Sequence, residues 1–140
     1  MIEAYSTNVA VAANQPVPFN SISIAKGCSV VQRSATTFLF NECGVYELEF
    51  DASGAISDAA AANVVLQLVK NGVLQPQAIT QANSTATTDI KTFGFKTFVQ
   101  VPNDNSNCCC VSPVTVQILN GAAAITLANA NITVRKVCCS

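Results

Sequence analysis

Apolar residues recur at every second position through most of this chain, the spacing of strands with one face buried and the other in water. In the stretch after Gly44, Tyr46, Leu48 and Phe50 fall on one face, and Glu47, Glu49 and Asp51 on the other. Val64, Leu66 and Leu68 repeat the pattern and run into Asn71-Gly72, a dipeptide whose tolerance of positive φ predicts a two-residue hairpin and a return strand. Val114, Val116 and Ile118 lead in the same way to Asn120-Gly121. A second hairpin is expected there, with Ile125 and Leu127 returning and Ile132 to Val137 forming a last strand. Between the two, Phe93, Phe95, Thr97, Val99 and Val101 share one face of a long strand in which Gly94 marks a bulge or a close-packing point.

Shorter segments lie earlier, Pro18–Gly27, Cys28–Arg33 and Thr36–Asn41, and read as short strands separated by turns at Lys26-Gly27 and Arg33-Ser34. Alanine favours helix, but the alanine run before Val64 is short and opens directly onto an alternating segment, so a loop entering a strand is expected. About eight to ten short strands with no sustained helical period predict an all-β antiparallel sandwich. We expect one domain over residues 1–140, with 1–16 an N-terminal strand or arm and 138–140 a cysteine-bearing tail. Phe19, Phe38, Phe40, Tyr46, Phe50, Phe93 and Phe95 are expected in the core. Phe98 breaks the alternation, sharing a face with Lys96 and Gln100, and is expected at a subunit interface.

Composition narrows the function classes. Charged residues make up 11% of the chain and the formal net charge is −1, so no basic stripe is available for nucleic acid and no polybasic patch for a membrane surface. The N-terminal stretch carries Glu3 and lacks a basic segment, so a secretory signal is not expected. Histidine is absent, which removes the usual general base for a serine or cysteine nucleophile. No phosphate-binding glycine motif occurs. Glu47, Glu49 and Asp51 can be read as a carboxylate pair or cation site, or as a solvated strand face, and the second reading is preferred. No enzyme activity, cofactor or metal is expected.

The seven cysteines carry the remaining chemistry. Cys108, Cys109 and Cys110 are consecutive, as are Cys138 and Cys139, while Cys28 and Cys43 stand alone. None of these spacings is that of paired zinc ligands, and adjacent residues of an extended chain point to opposite sides. Disulfides fit better, because neighbours pointing apart can reach different partners. Cys28 and Cys43 can form one intrachain bridge if the strands they flank pair with suitable geometry. Reduced, exposed thiols and a zinc site shared between segments or chains stay open as alternatives. An odd count leaves at least one thiol per chain free or intermolecular.

The run from Thr36 to Gly54, followed by Val64 to Gln75, resembles the trimeric jelly roll of the tumour necrosis factor (TNF) superfamily and the complement-q heads. Phe38, Phe40, Gly44, Tyr46, Phe50, Leu66, Leu68, Lys70, Asn71 and Gly72 carry the likeness, and the terminal segment from Ala130 to Val137 looks like the family's closing strand. That family's usual cysteine lies several residues before the glycine, unlike Cys43, so its pairing is not carried over. The resemblance implies a homotrimer. Compact versions of the domain resemble those on bacteriophage fibres and bacterial spores, which implies assembly and attachment. A virion component is expected: a head fibre, decoration protein or tail-tip module that contacts other particle proteins and, as a further partner, a host-surface glycan. The alternative is a fibre tip on a spore or cell surface. Cys138 or Cys139 is expected to reach another chain or the 108–110 cluster.

Overall fold

The structure, a computed structural model, describes residues 1–58, 60–103 and 113–138. Among these lie ten strands and no helix: β1 (Ile2–Val11), β2 (Ser21–Ala25), β3 (Val30–Gln32), β4 (Phe38–Phe40), β5 (Gly44–Ile56), β6 (Ala62–Lys70), β7 (Val73–Ser84), β8 (Lys91–Val101), β9 (Val114–Asn120) and β10 (Ile125–Cys138). They form two antiparallel sheets, ordered β2-β1-β10-β5-β8 (sheet 1) and β3-β4-β9-β6-β7 (sheet 2). The chain changes sheet repeatedly, which closes the two layers into a jelly roll.

The core between the sheets is the inward half of each alternation. Tyr46, Leu48 and Phe50 from β5, Leu66 and Leu68 from β6, Val116 and Ile118 from β9, and Ile132 and Val134 from β10 are all fully buried. Aromatic rings tie the layers together. Phe19 meets Phe38 and Phe50 edge-on at centroid distances of 5.7 and 6.3 Å, and Phe50 also lies 5.4 Å from Phe95. Phe19 belongs to no strand. It is held inward because the Ser6 hydroxyl donates to the Pro18 carbonyl at 2.7 Å and accepts from the Asn20 amide at 2.8 Å.

Asn71-Gly72 forms the expected hairpin. Both residues have positive φ, 50° and 79°, and Lys70 pairs with Val73 across the turn. Pro76 sits where the β6–β7 register shifts, on an edge strand that tolerates a missing donor. The expected second hairpin is corrected. β9 lies in sheet 2 and β10 in sheet 1, so the chain at Asn120-Gly121 crosses between layers, and neither residue has positive φ. At this crossing the Asn120 side chain is fully buried and donates to the carbonyls of Val11, Ala12 and Ala123 at 3.3, 3.1 and 2.8 Å. It is a latch between loops rather than the corner of a turn.

Two smaller readings also resolve. The segments read as a return at Ile125 and a last strand at Ile132 are one strand, β10, whose ladder with β5 shifts near Ala128. Gly94 is a close-packing point and not a bulge. The β5–β8 ladder runs without a break, and a Cβ at Gly94 would come within 2.9 Å of Asp51 Oδ1 and 3.2 Å of the Phe50 carbonyl oxygen.

Candidate functional site

The outward face of sheet 1 carries the molecule's main cluster of charge. The ladder sets Glu47 opposite Phe98 on one side and Arg135 on the other, and places Lys96 opposite Glu49. Arg135 Nε donates to Glu47 Oε2 at 2.8 Å with Nη2 at 2.6 Å, and the Lys96 ammonium bridges Oε1. These two cations occupy the Glu47 carboxylate, so the cation-site reading of Glu47, Glu49 and Asp51 finds no support in the geometry. Nor is the face uniformly solvated, because Glu47 is only 9% exposed.

The hydrogen bonds from Lys96, then those from Arg135, hold the Glu47 carboxyl below the usual glutamate range. A folded pKa below the unfolded one contributes stability that is present at neutral pH and lost as pH falls through the folded value. Acid titration of the wild type should therefore show a step in stability that begins as pH falls into the ordinary glutamate range and is complete only below the folded value. Glu47→Gln should flatten that step, and an unchanged acid limb would refute the assignment.

Phe98 lies on this same face, 60% exposed, at the β8 edge of sheet 1. It is not alone. β7 runs beside β8, with the Gly94 amide donating to Thr80 Oγ1 at 3.3 Å, and β7 exposes Leu74 and Ile79. At the opposite edge of sheet 1, β2 exposes Ile22 and Ile24 next to exposed Tyr5 on β1. Periodicity could not single these out, since Ile22 and Ile24 alternate just as core residues do. Only the strand order shows that no described residue covers them. The two apolar edges lie on opposite sides of the sandwich and differ in composition.

The cysteines within the described residues gather at one end. Cys28 precedes β3 and is exposed, with its sulfur 4.0 Å from Glu42 Oε1. Cys43 is buried in the core at the turn into β5. Exposed Cys138 ends β10 opposite Val45. The Glu42 carboxylate also pairs with the Lys136 ammonium at 3.0 Å, and the Tyr46 hydroxyl donates to the Glu42 carbonyl at 2.7 Å. Gly44 has φ 142°, and a Cβ there would lie 2.5 Å from the Cys138 carbonyl oxygen, so the chain packs tightly at this corner. Cys28 carries a free thiol, so the Cys28–Cys43 bridge is not formed: the first points to solvent and the second into the core. Cys108, Cys109, Cys110 and Cys139 lie outside the described residues. Among the described residues, no group of three or more His, Cys, Asp or Glu side chains is placed to hold a metal ion.

No family model and no curated protein sequence matches the chain. Solved structures do. The chain is similar to PRD1 vertex protein P5, at 15% identity and a TM-score of 0.52, with 97% of this chain and 95% of that one covered. It is also similar to rabbit GITRL, at 11% identity and a TM-score of 0.56 with 98% and 94% covered. Murine APRIL matches at 10% identity and a TM-score of 0.56, with 97% and 98% covered. End-to-end coverage of two TNF-family proteins and a vertex protein, together with the two five-stranded sheets, establishes that this chain folds as a TNF-like jelly roll.

Proposed function

We propose that the chain is a non-enzymatic structural and attachment protein of a bacteriophage virion, acting as a homotrimer. The observation that carries the assembly is the pair of unlike apolar edges. A self-complementary dimer needs one patch that meets itself, whereas two different patches fit a head-to-tail contact, which makes a ring where the rotation between subunits closes and a filament where it does not. Ring closure at three subunits agrees with the homotrimer that the resemblance to the TNF superfamily implies. The similarity to PRD1 vertex protein P5 supports a place on the virion among other particle proteins. Exposed Cys28, at the end where β10 also finishes, is suited to reinforcing such contacts as a disulfide.

Native mass measurement tests the assembly. The expected species has three times the chain mass, and a monomer at micromolar concentration would sink the proposal. Phe98→Asp combined with Ile24→Asp should yield a folded monomer, because each places a charge in one of the two apolar edges. If the doubly substituted chain stays trimeric, the edges are not the interface. Electrophoresis with and without reductant reads the cysteines, and identical mobility would remove their stitching role.

A further inference from the structure

A hollow of about 350 Å³ opens at the end of sheet 1 away from Cys138. Its polar lining comes from Asn8, Ser57, Thr87 and Thr126, and its apolar lining includes Ile90 and Ala128. No lining side chain is charged. The nearby Asp89 and Lys91 pair with each other at 3.3 Å, which neutralises the loop.

The floor of this hollow is an irregularity shared by two ladders. The β1–β10 register pairs Thr7 with Asn129 and then Val9 with Leu127, which leaves Asn8 and Ala128 facing each other outside the pairing. The β10–β5 register shifts at the same point. Asn8 takes φ 50° there, a conformation that is uncommon in a strand interior and tends to mark sites where a bulge re-aims a side chain. The wall is preorganised. The buried Ser84 hydroxyl accepts from the Ile56 amide at 3.3 Å and reaches the Asp89 carbonyl at 3.0 Å, tying the β7–β8 loop to the end of β5. Asp89 Oδ2 accepts from both the amide and the hydroxyl of Thr85 at 2.9 Å. Above this frame Ile90 stands 58% exposed.

We propose that this hollow binds a neutral saccharide. The Asn8 amide, the Thr87 hydroxyl and the Ser57–Thr126 hydroxyl pair, whose oxygens lie 3.0 Å apart, supply both donors and acceptors without charge, matching the mixed donor and acceptor surface of a sugar ring. Ile90 and Ala128 offer aliphatic surface to its C–H face. The proposal deepens the attachment reading and rests on it: the apolar edges serve assembly, and the end away from the cysteines meets a glycosylated surface.

Backbone-amide NMR titration of the full chain with methyl glucoside, methyl galactoside, methyl mannoside, N-acetylglucosamine and N-acetylneuraminic acid tests it. At least one neutral sugar should shift the Ile90 and Ala128 amides with a dissociation constant on the order of 1 mM. Asn8→Gly keeps the positive φ while deleting the amide, so it should weaken binding about five- to tenfold with an unchanged melting temperature. Thr87→Val, in the exposed loop, should do the same. Absence of shifts for every sugar, preference for the acidic sugar, or unaltered binding in both variants would overturn the proposal. A trimer that binds no sugar refutes the hollow alone, whereas a sugar-binding monomer refutes the assembly alone.

Discussion

Asn120→Ala is expected to destabilise the protein by on the order of 3 kcal/mol, because a buried acceptor left without its donor costs about 1–3 kcal/mol and this side chain serves several. Its amide is shared by the Val11, Ala12 and Ala123 carbonyls, and its own backbone accepts from the Asn14 amide at 2.8 Å. The substitution thus loosens the ends of β1, β9 and β10 together. Urea unfolding reads the effect as a lower midpoint at unchanged slope. Asn120→Asp should cost more at neutral pH, since it sets a buried negative charge against three carbonyl oxygens, and should recover in part on acidification as the carboxyl protonates. A midpoint within error of wild type for both variants would show that the latch contributes nothing.

Phe50→Ala is expected to cost about 3–5 kcal/mol, the usual range for deleting a buried phenylalanine ring. Phe50 has no exposed surface and touches two rings, Phe19 in the β1–β2 connection and Phe95 across the ladder on β8, while Phe19 in turn meets the Phe38 ring of sheet 2. The cavity cannot collapse without moving both sheets, so relaxation recovers little. Phe98→Ala, measured on the Ile24→Asp background against Ile24→Asp alone, should change stability by no more than about 0.5 kcal/mol, as surface substitutions do. Equal losses at the two positions would mean that the inward and outward halves of the alternation have been misassigned.

Both expectations bear on how much could be read before the fold was known. Tyr46, Leu48, Phe50, Val64, Leu66, Leu68, Val114, Val116 and Ile118 are buried as their spacing predicts, and Phe98 is exposed because it falls on the opposite parity. Side-chain direction in a strand alternates with backbone geometry, so this information is local. The candidate sites were less legible. Glu47 was visible as an outward acid, but its partners Lys96 and Arg135 come from strands far along the chain and meet it only through ladder register. Ile22 and Ile24 carry the signature of a buried strand and are exposed because β2 ends a sheet.

The two Asn-Gly pairs separate the contributions most sharply. By itself the sequence determined the strands, their inward residues and the hairpin at Asn71-Gly72, since each depends on a few neighbouring dihedrals. Asn120-Gly121 has the same local chemistry and a different outcome, because β9 already pairs with β4 and β6 while β10 pairs with β1 and β5. Which strands pair, which edges stay open and which cysteines share an end were decided by the tertiary structure alone. Those outcomes depend on hydrogen bonds and packing between residues distant in the chain, which no local pattern encodes.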